Sequence, residues 1–112
     1  MKPFSGGLDL PAEIRRSIVY RSERGKTIRL CMTIRGNEIT HATFTGDFFG
    51  EPAEELSKLG EILIGLNAGD VNELFKRIDE FFNERIEWIA GASPDDFKQA
   101  LVKLLESFSD ND

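Results

Sequence analysis

The sequence predicts an α+β domain: a three-stranded antiparallel meander comes first, and about three helices follow and pack on one of its faces. Three observations carry this expectation. The run KTIRLCMTIR at 26–35 alternates, with Ile28, Leu30, Met32 and Ile34 on one side and Arg29, Cys31, Thr33 and Arg35 on the other. A period of two with one polar side is a half-buried strand. From Val71 to Phe82 the apolar residues Leu74, Phe75, Ile78 and Phe81 recur instead at helical spacing. The strand-like runs precede the helix-like runs, an order that segregates helices to one side of an antiparallel sheet.

Element by element, residues 1–14 hold two prolines and a Gly-Gly pair and read as a flexible arm with a short turn near 11–14. Residues 15–108 read as the folded domain, and SDND at 109–112 as a fraying end. SIVYRS at 17–22 is a short β-rich strand, and ERG at 23–25 turns the chain into the alternating strand. GNE at 36–38 signals a hairpin, because Gly and Asn tolerate positive φ. ITHATFT at 39–45 is the third strand, with Ala42 and Phe44 on one face. After Gly50 the chain reads helical. Pro52 suits a first helical position, where its missing N–H costs nothing. Leu56, Leu59 and Leu63 share a face, and Gly65 ends that helix. Asp70 and Glu73 form a capping pair for the next one. RIEWIAG at 85–91 looks extended and leads to the last helix. There Ser93 is the N-cap, Pro94 the first residue, and Asp96 completes a second capping box. Phe97, Leu101, Leu104 and Phe108 supply its apolar face.

A chain of 112 residues fits one domain, with one core and no room for a large cleft besides. At 40% hydrophobic and 30% charged it is globular rather than disordered. No apolar run approaches the roughly 20 residues of a membrane span. The start lacks the apolar block of a signal peptide. The single cysteine excludes an internal disulfide or a cysteine-based metal site. A cytoplasmic protein without membrane contact is the expectation. The net charge of −6 is unevenly spread: residues 1–41 carry eight basic and four acidic side chains, residues 42–112 six basic and sixteen acidic. An acidic helical half argues against a nucleic-acid partner, which needs a basic face for phosphates. The acids either solvate the exposed helix faces or form a polar face that meets a protein.

Chemistry is sparse. There is no Gly-rich phosphate loop of either common type. His41 sits mid-strand on the side opposite Phe44 and reads as a surface residue. Cys31 shares the outer side of its strand with Arg29 and Arg35, has no identifiable base, and is expected to be a thiol of ordinary reactivity. Glu54 and Glu55, like Asp95 and Asp96, fall in first helical turns, where the helix dipole favours them. No nucleophile, base and oxyanion donor assemble, so the residues point to a binding domain.

The junction TFTGDFFG at 43–50 carries an acid and two adjacent phenylalanines between glycines. Gly46 permits a sharp exit from the strand. Asp47 can accept backbone N–H bonds and hold the turn. Phe48 and Phe49 cannot both face inward in an extended stretch, because neighbours alternate. One is expected to lock the sheet to the helices and the other to lie at a partner surface, where aromatics are enriched. The alternative is a local bend that buries both.

TGDFFGEPAEELSKLGEILIGLN at 45–67 resembles a segment of the accessory domain of lipoate–protein ligases, in which a strand ends in Gly-Asp-Phe-Phe before a Pro-Glu-rich helix start. WIAGASPDDF at 88–97 is similar to the start of that domain's last helix, and the hairpin from Lys26 to Phe49 also fits. The resemblance spans roughly 17–107. It implies a fold of the iron–sulfur scaffold and sulfur-acceptor type. It also implies the separate small subunit of a two-part, archaeal-type ligase, not catalytic alone and needed with a catalytic subunit for ATP-dependent lipoate adenylation and protein lipoylation. Lipoate, ATP and Mg would then sit on the catalytic partner, none would bind this chain alone, and the lipoyl-acceptor protein would be an indirect partner. Gly46, Asp47, Phe48 and Phe49 would be the interface signature. The ligase's Arg-Arg-x-x-Gly-Gly-Gly-type loop is missing, and SGG at 5–7 does not replace it. The rival readings are a sulfur carrier or scaffold using Cys31, and a free-standing protein-binding adaptor.

Overall fold

In a computed structural model that describes residues 12–23 and 25–109, the alternating run is the middle strand of the sheet. β1 (Glu13–Arg21), β2 (Thr27–Arg35) and β3 (Glu38–Gly46) pair antiparallel in that order. Ile28, Leu30 and Met32 of β2 are fully buried and Ile34 nearly so, which makes their side the core side. The hairpin between β2 and β3 turns at Gly36 and Asn37, with Arg35 opposite Glu38.

Two differences from the sequence reading lie in this sheet. β1 starts at Glu13, so the last residues assigned to the arm are strand; the rest of the arm, 1–11, lies outside the described residues, as do 110–112 of the end read as fraying. Arg16 hid the alternation: it takes an inner-side position, where its guanidinium lies 5.1 Å from the centre of the Phe108 ring. The second difference is a bulge. Thr33 pairs with His41 but Ile34 pairs with Ile39, which leaves Thr40 as an extra residue. Its hydroxyl donates to the Thr33 carbonyl at 3.3 Å. The bulge lets Ile39 and Ala42, three apart, both face the core.

After β3 the chain is not helical at once. β4 (Phe49–Glu51) pairs antiparallel with β5 (Trp88–Ala90), the stretch read as extended, and forms a separate two-stranded ribbon. The helix expected from Pro52 to Gly65 is two pieces: α1 (Ala53–Leu56) and a 3₁₀ turn (Leu59–Leu63). Pro52 precedes α1 with ψ at 135° rather than occupying its first turn. Leu56, Leu59 and Leu63 are still buried together. The break sits where the chain meets β3: a Cβ at Gly60 would collide with the carbonyl oxygen of Ala42. The 3₁₀ turn then hands over to Gly65, whose N–H donates to the Ile39 carbonyl at 2.7 Å.

α2 (Val71–Arg85) is N-capped by Asp70, whose carboxylate accepts the Glu73 N–H at 3.2 Å. The reciprocal half of the box is replaced by an ion pair of Glu73 with Arg77 at 2.7 Å. α3 (Pro94–Ser109) has both halves: the Ser93 N–H donates to Asp96 at 2.9 Å and the Asp96 N–H donates to the Ser93 hydroxyl at 3.4 Å. α3 packs on β1 and β2, α2 on α3 and the 3₁₀ turn, and the 3₁₀ turn on β3. One core results, with Leu74, Ile78, Phe97, Leu101 and Leu104 fully buried beneath the sheet.

Candidate functional site

The Gly46–Gly50 junction is where the sheet hands over to the ribbon. Gly46 has φ of 150°, and a Cβ there would strike the Thr27 carbonyl. The chain therefore leaves β3 against the start of β2. Asp47 holds this exit from both ends: its N–H donates to the Thr27 carbonyl at 2.9 Å, and its carboxylate accepts the Thr27 N–H at 3.4 Å.

The two phenylalanines then part. Phe48 turns inward and meets Phe97 edge to face, with ring centres 4.9 Å apart. Phe97 is the hub of an aromatic cluster, since Phe44 and Phe82 touch it at 5.3 and 5.4 Å. Phe49 turns outward and is 64% exposed. Its diagonal neighbour on β5 is Trp88, 48% exposed, whose ring meets it edge to face at 6.0 Å. Glycine at position 50 is buried between Leu56 and the Trp88–Ile89 backbone, which keeps the ribbon tight against the body. Rigid aromatics of this size, in water on a hydrogen-bonded ribbon, are the residues that anchor protein contacts. The sequence reading placed one of the two phenylalanines at a surface, without saying which, and missed Trp88. The signal was a tryptophan in a run already read as extended; what it lacked was a partner strand, because β4 is too short for any periodicity.

A hollow of about 620 Å³ lies where β1 ends and α3 begins, lined by Tyr20, Glu23, Ile89 and Asp95 among others. Burial, helped by Asp96, Asp95 and Glu23, raises the Tyr20 pKa. A neutral phenol beside carboxylates is no nucleophile at neutral pH.

The outer side of the β1–β3 sheet carries Cys31, half-buried. The Arg15 Nε–H donates to its Sγ at 3.3 Å. Ser17, directly across on β1, and then Arg15 pull the thiol pKa below its ordinary value against a small opposing effect of burial. The thiol is thus more acidic than its sequence surroundings suggested; Ser17 and then Arg15 are the causes, and Arg15 lies on β1 ahead of the strand read at 17–22. His41 is exposed on the same side, as expected. Among the described residues no group of three or more His, Cys, Asp or Glu side chains could hold a metal ion. None of their helices is long and apolar enough to cross a membrane.

Fold and site together define a small α+β domain with an exposed aromatic pair on its ribbon. The chain is homologous to lipoate-protein ligase A subunit 2 of Thermoplasma acidophilum, with 29% identity over 82 residues, 73% of this chain and 82% of that protein. Its structure superposes on a chain from the archaeal lipoylation system of the same organism, described as a bi-partite lipoate protein ligase and its E2 lipoyl domain. That match has a TM-score of 0.68 at 27% identity and covers 80% of this chain and 97% of the other. No family model matches the sequence.

Proposed function

We propose that this chain is the accessory subunit of a two-part lipoate–protein ligase. It binds a catalytic subunit and is needed with it to convert lipoate and ATP to lipoyl-adenylate and pyrophosphate. The acceptor lysine then attacks the acyl carbonyl and AMP leaves. Lipoate, ATP and Mg belong to the catalytic subunit in this reading. The observation that carries it is the match to nearly the whole of one chain of the Thermoplasma lipoylation system. The exposed Phe49–Trp88 pair supplies the contact: it sits on the Gly-Asp-Phe-Phe signature, with Gly46 and Asp47 setting its position and Phe48 tying it to the core. A small domain docked beside an active site assists by shielding the adenylate from water and fixing mobile loops.

The test is pyrophosphate release with lipoate present, by each subunit alone and by an equimolar mixture. Release is expected from the mixture and only weakly from either protein alone. A catalytic subunit that is fully active by itself, and unchanged by this chain, sinks the reading. The Arg15–Cys31 contact favours a second reading, a sulfur carrier on Cys31. Cys31→Ser separates the two, since it removes sulfur transfer and leaves adenylation intact.

A further inference from the structure

The outer side of the β1–β3 sheet is basic, on a chain whose net charge is −6. Register fixes its layout. Ser17, Cys31 and Thr43 form one row across the three strands. Arg15 stands in the row on one side of them, next to Thr33, and Arg29 in the row on the other side, between Val19 and Thr45. Two guanidinium groups thus flank a row of two hydroxyls and the Cys31 thiol, to which the Arg15 Nε–H donates, over a shallow hollow of about 470 Å³. Both arginines are exposed, and neither is among the ion pairs formed by the described residues. On the helical side Lys58, Arg77, Arg85 and Lys98 each pair with a carboxylate of this chain, while Lys76 and Lys103 are in none of these pairs.

We infer that this hollow is a docking site for the carboxylate side chains of an acidic protein surface, and that its occupant is the protein that accepts the lipoyl group. The identity of the occupant rests on the function proposed above. A guanidinium fork matches a carboxylate with two parallel hydrogen bonds; Ser17 and Thr43 add hydroxyl donors in the row between the forks, and Thr45 adds one beside Arg29. Character separates this site from the aromatic ribbon. A subunit that stays bound is held by buried aromatics. An acceptor must arrive, receive the acyl group and leave. Charge-steered, hydrated contacts suit that, because they raise the association rate more than they slow dissociation. Nucleic acid fits poorly, because the acidic remainder of the chain repels a polyanion that extends beyond the hollow.

Two measurements test this. In the first, the reconstituted two-subunit ligase is assayed with the acceptor domain of the same organism. The KM for that domain should rise about tenfold in Arg15→Glu/Arg29→Glu and less in Arg29→Glu alone. It should rise with NaCl for the parent enzyme and lose that dependence in the double variant. Pyrophosphate release without acceptor should be unchanged, and Lys76→Glu, the same charge change on exposed α2 as Arg29→Glu alone, should behave as the parent. An unchanged KM at low salt overturns the inference. So does an equal loss of acceptor-free release, which would assign the hollow to the catalytic subunit. Self-association of the parent chain that the double variant abolishes, seen by sedimentation, would make the occupant a second copy instead. The second measurement does not depend on ligase function. The amide resonances of Ser17, Thr43 and Thr45 in the isolated chain should move on titration with an octaglutamate peptide at low salt, and stay fixed in the double variant. No movement in the parent chain overturns the carboxylate site itself. If adenylation is not stimulated but the resonances move, the proposed function has failed and the site has not.

Discussion

Phe48 and Phe49 are adjacent in sequence and opposite in consequence. Phe48→Ala removes a half-buried ring from the Phe97 cluster and should cost roughly 2–4 kcal/mol of stability, somewhat below the range for a fully buried phenylalanine. Phe49→Ala removes an exposed ring and should leave the melting temperature within about a degree or two. It should instead weaken binding to the catalytic subunit by about 2 kcal/mol, a hot-spot magnitude. Thermal denaturation and a binding titration on both variants check this; two variants that melt alike and bind normally would sink the interface role. That one phenylalanine faces in and one out follows from strand alternation and was legible in the sequence. Which was which depended on a three-residue strand whose pairing partner lies far along the chain. Cys31 was misjudged for a related reason: Arg16, facing inward, masked the strand that brings Arg15 to the thiol. Ser17 and then Arg15 hold the thiol pKa down, so a larger fraction is thiolate at pH 8 than for a free cysteine. The alkylation rate of the native protein should therefore reach half its maximum at a lower pH than free cysteine, and Arg15→Gln should move that midpoint up. A midpoint that ignores Arg15→Gln would remove the guanidinium from the explanation.

The elements with a full period behind them were legible: the alternation of β2, the heptad-like face of α2 and the capping box of α3 all appear where the sequence placed them. Ser93→Ala tests the last of these and should cost about 1 kcal/mol, read from denaturant unfolding. In the stretch from Pro52 to Gly65 the apolar spacing does not determine the local structure. Leucines three and four apart satisfy a helical pattern, but a short helix followed by a 3₁₀ turn buries the same leucines. Only tertiary contact decides between them, here the approach of position 60 to the β3 backbone. The sign of one substitution separates the two. In an ordinary helix Gly60→Ala would stabilise by up to about 1 kcal/mol. Against the Ala42 carbonyl it should destabilise by about 1–3 kcal/mol, because backbone must move to admit the methyl group. A raised melting temperature would mean that the close approach does not exist. The β3 bulge was unreadable for the same reason, since Ile39 and Ala42 reach one face only after Thr40 is looped out against β2.

At the scale of the molecule, the charge asymmetry counted from the sequence acquires directions. The basic side chains of β1 and β2 other than Arg16 stand on the open side of the sheet, and most of the acidic ones after β3 lie on the helices and the ribbon. The sole tryptophan lies on the ribbon, beside Phe49 and away from the core cluster, which makes it a reporter for the proposed subunit contact. With Trp88 replaced by 5-fluorotryptophan, a single fluorine resonance reports this chain whatever tryptophans the partner contains. Titrating in the catalytic subunit should shift that resonance, with saturation at one to one. Pyrophosphate release, followed over the same titration, should rise with the same midpoint, because one association event produces both signals. Phe49→Ala should move both midpoints together, by about thirtyfold for a loss of 2 kcal/mol. Arg15→Glu/Arg29→Glu should move neither, since its arginines lie on the sheet. If release rises while the fluorine signal stays fixed, the subunits meet elsewhere and the ribbon loses its role. If the signal shifts without release, the contact is real but the adenylation function assigned to it is not.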